Sequence, residues 1–219
     1  MPIHPKQDIN DLSTHLSHLV EKIKTGADTG AIIQDLQAAL EALSAVSTHD
    51  SLTGALNRRG LLQKLDTELD RAKRTGHPFS FAVIGIDAFP ALLAQHGKTA
   101  GDQVLQGATQ AALSLLRSLD SFGRIGESEF AIILPTTWLD QSGKAIARLT
   151  AAVAAVDWAA VVPGLNIGFC TGLTTNAHDD TSEAMIQRAT EALAQARLKG
   201  PGSSSQLEQS LPDIDPDLL

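Results

Sequence analysis

The feature that most constrains this chain is the stretch Arg124-Ile125-Gly126-Glu127-Ser128-Glu129-Phe130. It joins two short apolar runs, 120–125 and 128–134, that read as strands. So few residues separate the runs that the strands must turn back on each other as an antiparallel pair. The turn is also chemically loaded, because Glu127 and Glu129 place carboxylates on either side of the Ser128 hydroxyl.

Further strand candidates are 79–86 and 165–174, and helical periodicity covers 57–75, 101–118, 141–156 and 181–198. The resulting β-α-β-β-α-β order predicts an α+β fold, a ferredoxin-like palm with an antiparallel-containing central sheet and helices on one face. A chain of 219 residues, 43% of them hydrophobic, can bury one such core and carry an extension. The extension is residues 1–48. Leu12, Leu16, Leu19 and Ile23 share one helical face, Thr25-Gly26 and Gly30 interrupt it, and Ile33, Leu36, Leu40 and Leu43 resume it. This pattern predicts N-terminal helices, either folded back on the domain or paired as a short dimeric coil. The domain itself spans 49–200. A flexible acidic tail, 201–219, opens Pro201-Gly202-Ser203 and ends in a run of Asp, Pro and Leu.

Charge narrows the function classes. With 17 basic and 25 acidic residues the formal net charge is −8, which argues against non-specific nucleic-acid binding. The single cysteine, Cys170, excludes an internal disulfide framework and fits a reducing compartment. Its apolar neighbours predict a buried strand residue, not a nucleophile. No apolar run reaches membrane-spanning length and no signal-peptide pattern opens the chain, so a cytoplasmic protein without a membrane span is expected. His15, His18, His49, His77, His96 and His178 are scattered with no cysteine to support them, and they read as surface or cap residues.

Four further segments are distinctive. They are Asp50-Ser51-Leu52-Thr53-Gly54-Ala55-Leu56-Asn57-Arg58-Arg59-Gly60, Phe81 to Phe89 with Asp87 near its end, Gly101-Asp102-Gln103-Val104-Leu105, and Ala189 to Gly200. In this order, together with the hairpin and over residues 48–200, they resemble the GGDEF family, the cyclases that make cyclic di-GMP from two GTP. The resemblance implies a nucleotide-cyclase type of palm and marks Gly126, Glu127, Ser128, Glu129 and Phe130 as a degenerate signature, GESEF in place of GGDEF.

The resemblance also implies what is missing. In the family, one metal carboxylate comes from the end of the first strand and one from the third signature position, which here are Gly85 and Ser128. Mg²⁺ is a hard cation that prefers carboxylate oxygens, and neither residue supplies one. Tight Mg²⁺ binding is therefore not expected, no cofactor is implied, and the chain reads as a catalytically inactive member. Glu127 adds bulk and negative charge where a glycine lets nucleotide approach the backbone. Asp87, two residues beyond Gly85, shares its sheet face if the strand continues. Leu93 stands at the family's guanine-reading Asn, Pro90 at a phosphate-binding Lys and Pro201 at an Arg. Asp102 and Arg197 are kept in type, so Asp87, Asp102 and Arg197 form a vestigial nucleotide pocket, although Asp102 also reads as a helix cap.

A second constellation is intact. Arg117-Ser118-Leu119-Asp120 matches the family's R-x-x-D product-binding motif, with Arg148 aligned to a further family arginine. Arginine's planar fork grips phosphate or guanine edges and stacks on bases. On the residues alone, R-x-x-D reads equally as an i,i+3 ion pair. The leading expectation is a cyclic di-GMP receptor that uses Arg117, Asp120 and Arg148. Its partner is an unknown signalling protein contacted through the N-terminal helices or the tail, or a second copy in a homodimer. The alternatives are a ligand-independent scaffold and an active cyclase with an altered metal site.

Overall fold

The computed structural model describes residues 47–209 and, in the N-terminal segment, Gly30, Ile33, Gln34, Leu36 and Gln37, all helical. The chain divides into two compact units, Met1–Thr48 and His49–Leu219. The apolar faces expected at Leu12–Ile23 and at Leu40 and Leu43, and the end of the acidic tail from residue 210, lie outside the described residues.

In the second unit, helix α1 (Arg58–Thr75) starts where the Asn57 side chain accepts a hydrogen bond from the Gly60 amide and stops at Gly76, φ 70°. Strand β1 (Phe79–Ile86) follows, then α2 (Phe89–Leu115), β2 (Ser121–Arg124), β3 (Glu129–Pro135), α3 (Leu139–Ala154), β4 (Phe169–Thr175), α4 (Ser182–Lys199) and β5 (Ser204–Gln206). The five-stranded sheet has the order β2-β3-β1-β4-β5. Its neighbours pair antiparallel except β4 and β5, which are parallel. This is the expected α+β class, with the signature hairpin joining β2 to β3.

The helices do not lie on one face, as the strand-helix order had implied. Phe81, Val83, Ala131, Ile133 and Cys170 face one core with Leu61 and Leu65 of α1 and Met185 and Leu193 of α4. Ala82, Ile84, Phe130 and Ile132 face a second core with Val104 and Leu105 of α2 and Ile146 and Leu149 of α3. The reason is visible in β1, Phe-Ser-Phe-Ala-Val-Ile-Gly-Ile, buried at every position. A strand without polar alternation needs cover on both sides.

Other boundaries differ too. Helix α2 begins at Phe89 and not at 101, with Pro90 in its first turn, where a missing N–H costs nothing. Gly97, at φ 77° and ψ 177°, interrupts it, so α2 is two helices end to end. It stops at Leu115 and not at 118, because Leu116 is extended (φ −75°, ψ 145°). Strand β4 starts at Phe169, later than 165. The tail is not wholly flexible, since Ser204–Gln206 adds a strand beside Thr171–Leu173. Backbone pairing is enough for this, aided by Lys199 Nζ, which donates to Ser205 Oγ at 3.1 Å. Among the described residues, no helix is long and apolar enough to cross a membrane.

Candidate ligand-binding groove and the signature hairpin

The end of α2 positions the first set of residues. Past Leu116 the chain makes a turn in which the Asp120 carboxylate accepts from the Arg117 backbone amide at 2.9 Å, while the Asp120 amide donates to the Arg117 carbonyl at 3.1 Å. R-x-x-D is thus neither the end of a helix nor an i,i+3 ion pair. The aspartate fixes the turn through the backbone and leaves the Arg117 guanidinium without a carboxylate partner among the described residues. Arg148 arrives from α3, with Lys144 one helical turn earlier on the same face. All of these border one cavity of about 580 Å³, floored by Ile132 and Leu134 of β3 and Leu149 of α3 and edged by Thr137 and Gln141. Arg117, Lys144 and Arg148 are exposed, and Asp120 is half-buried. The structure therefore brings Arg117, Asp120 and Arg148 together. Lys144 and Gln141 join them, and sequence reasoning missed both. Lys144 lies three residues after Gln141 and four before Arg148 on a predicted helix, and that spacing was the available signal.

The hairpin is held by a residue whose role sequence reasoning also missed. Arg124 donates to the carbonyl of Glu127 at 2.7 Å and to that of Gly126 at 3.2 Å, and it pairs with Asp50 at 3.4 Å. The turn closes where the Ile125 amide donates to the Glu129 carbonyl at 2.9 Å. Asp50 in turn accepts from the amide and hydroxyl of Thr53. Burial pushes the Asp50 carboxyl up, but the Thr53 hydrogen bonds and the Arg124 guanidinium outweigh it and hold its pKa below the ordinary value.

None of the remaining predicted residues lines this groove. Strand β1 ends at Ile86, so Asp87 lies beyond the sheet ladder, with its carboxylate beside the Cys170 thiol opposite Gly85. It lies in the next turn and accepts from the Gly202 amide at 2.8 Å. Asp102 does not cap a helix, for it lies inside α2 and pairs with Lys98. Leu93 packs toward Gly101, where an added β-carbon would stand 2.4 Å from Leu93 Cδ2. Arg197 pairs with Glu129 at 3.0 Å, and a β-carbon built at Gly85 would stand 2.4 Å from Arg197 Nη2. Phe130 is buried and stacks on Phe122 with ring centroids 5.1 Å apart. Cys170 is buried in β4, where burial and then the neighbouring Asp87 push its thiol up, away from nucleophile chemistry.

The donor set at the end of β1 does not suit a hard dication. Gly85 and Ser128 bring no charge, and Glu129 is already faced by a guanidinium. Among the described residues, no group of three or more His, Cys, Asp or Glu could hold a metal ion.

Comparison with known proteins assigns the fold to a family. Residues 47–203 match the family profile described as "Diguanylate cyclase, GGDEF domain". The diguanylate cyclase DgcP of Pseudomonas aeruginosa is 34% identical over 151 residues, 69% of this chain and 22% of DgcP. The response regulator PleD of Caulobacter vibrioides is 31% identical over 186 residues, 83% of this chain and 41% of PleD. The chain thus spans well under half the length of these two relatives. Among solved structures, the diguanylate cyclase SiaD of Pseudomonas aeruginosa, in complex with its activator SiaC, superposes with a TM-score of 0.68. It is 28% identical, and the match covers 93% of this chain and 78% of SiaD. The profile covers most of the chain, and the chain belongs to the GGDEF family of diguanylate cyclase domains.

Proposed function

We propose that this chain is a catalytically inactive GGDEF-domain protein that acts in the cytoplasm as a receptor for cyclic di-GMP. The observation that carries the reading is the gathering of Arg117, Asp120 and Arg148 on the wall of one groove of about 580 Å³. A cyclic dinucleotide presents two phosphates and two purine faces. Arginine forks meet the phosphates and stack on the bases, the apolar floor takes a ring face, and a carboxylate accepts from guanine N–H groups. The groove lies within the size range of small-molecule sites. On the enzymatic side, Gly85 and Ser128 withhold the carboxylates that Mg²⁺ would need, and Leu93 withholds an amide from guanine. SiaD is held by a protein activator, and by analogy this chain works through a protein partner or a second copy of itself.

Calorimetric titration of the full chain with cyclic di-GMP tests the reading. Binding is expected at micromolar ligand, with Arg117→Ala and Arg148→Ala each weakening it roughly ten- to a hundredfold, the loss of one charge-assisted contact. Incubation of the same preparation with GTP and Mg²⁺ is expected to yield no cyclic di-GMP. Absence of binding at tens of micromolar, or wild-type affinity in both variants, hands the groove to a scaffold role. Turnover near about 1 s⁻¹ would restore the enzyme reading.

A further inference from the structure

The other face of the sheet carries an arrangement that the groove does not use. Gly85, the next-to-last residue of β1, lies directly opposite Glu129 on β3 and Cys170 on β4. Residues directly opposite in a ladder project to the same face, and that face is covered by α4. Arg197, in the last turn of α4, reaches over Gly85. A β-carbon at residue 85 would lie 2.4 Å from its Nη2 and 3.2 Å from its Cζ. The same Nη2 donates to Glu129 Oε1 at 3.0 Å. The guanidinium thus fills the space that the absence of a side chain at Gly85 leaves open, and it neutralises the nearest signature carboxylate.

We propose that Arg197 is a built-in cation that takes the place of a divalent ion at the end of β1. Loss of the carboxylates and occupation by the guanidinium form one coupled arrangement. Glycine at 85 gives the guanidinium room, and the guanidinium gives Glu129 a partner. A carboxylate restored at Gly85 would meet the Arg197 guanidinium before any metal. A dication brought there would face the guanidinium at close range, and such like charges repel strongly even in a partly hydrated cleft. Restoring the acids alone therefore does not restore a metal site. This arrangement is independent of the groove at Arg117, so the two can fail separately.

The test compares Mn²⁺ binding, read from the electron paramagnetic resonance of the free ion, in two full-length variants. One carries Gly85→Asp and Ser128→Asp with Arg197 in place; the other adds Arg197→Ala. Removal of the guanidinium is expected to tighten Mn²⁺ at least about tenfold. Residue 85 is buried, so Ser128→Asp alone, at a half-exposed position, provides the same comparison with and without Arg197→Ala if the aspartate at 85 prevents folding. The direction of the effect should be the same. Equal Mn²⁺ affinity with and without Arg197 in both backgrounds overturns the proposal, as does micromolar Mn²⁺ binding by the unaltered chain.

Discussion

Arg124 ties two distant parts of the chain together. Its guanidinium holds two carbonyls of the signature turn and reaches Asp50, in the loop before α1. Asp50 is the acid end of this link, and its carboxyl pKa is held down by Thr53 and Arg124 against the effect of burial. A carboxyl whose pKa is lowered on folding stabilises the fold fully above its unfolded pKa, and this contribution fades as pH falls through the folded value. An ordinary aspartate carboxyl titrates near 3.8, so the contribution is complete at neutral pH and declines below about pH 5. Asp50→Asn should lose about 1–2 kcal/mol at pH 7, measured by urea unfolding. The gap from wild type should narrow steadily as pH drops from about 5 towards 3. A gap that stays constant across this range would mean that Asp50 acts through packing alone. None of this was legible in the sequence, because Arg124's acceptors are mostly backbone carbonyls and its acid lies far away along the chain. The nearness of Arg117, Asp120 and Arg148 was legible, since the family resemblance and their placement relative to the hairpin grouped them before any geometry was known.

The elements were legible where side-chain periodicity marks them and obscure where the backbone does the work. The cores of α1, α3 and α4 and the strand pair around the hairpin followed from apolar spacing. Strand β5 did not, because Ser204-Ser205-Gln206 has no apolar pattern and is held by its ladder to β4. The first half of α2 was obscured by Gly97, whose non-helical backbone divides α2 into two helices. The fit of α4 on β4 shows how close elements can come. Ala189, Ala192 and Ala196 are fully buried along α4, and a β-carbon at Gly172 would stand 2.0 Å from the Ala189 carbonyl oxygen and 2.2 Å from the Leu193 amide nitrogen. Backbone atoms cannot swing aside as a side chain can. Gly172→Ala must therefore push α4 off the sheet, costing about 3 kcal/mol or more. In a domain of this size that lowers Tm by roughly 6–12 °C, readable by calorimetry. Gly143→Ala is the control: the nearest atom to its added β-carbon is Gln206 Nε2 at 3.6 Å, an ordinary contact, so Tm should hardly move. Equal Tm values for Gly172→Ala and wild type would show that the helix is not seated so tightly.

For the molecule as a whole, the question is what the N-terminal unit adds to a domain that has its own two-sided core. The unit Met1–Thr48 is one of the two compact units into which the chain divides. Where it is described it is helical, with Ile33 50% and Leu36 41% exposed, the same apolar spacing that the sequence presents at Ile33, Leu36, Leu40 and Leu43. Exposed apolar side chains at helical intervals are costly in water unless another surface covers them. A second copy supplies the same stripe, and the overall charge of −8 keeps larger aggregates apart. The full chain should therefore run as a dimer in light scattering at tens of micromolar, and deletion of residues 1–48 should return a monomer. The truncated domain should still unfold cooperatively and bind cyclic di-GMP within about threefold of the full chain, because among the described residues the groove is built from α2, β3 and α3 and the loops that flank them. Loss of dinucleotide binding on truncation would place part of the site in the dimer. The same number of chains per particle before and after truncation would reduce the apolar stripe to a cover for its own chain.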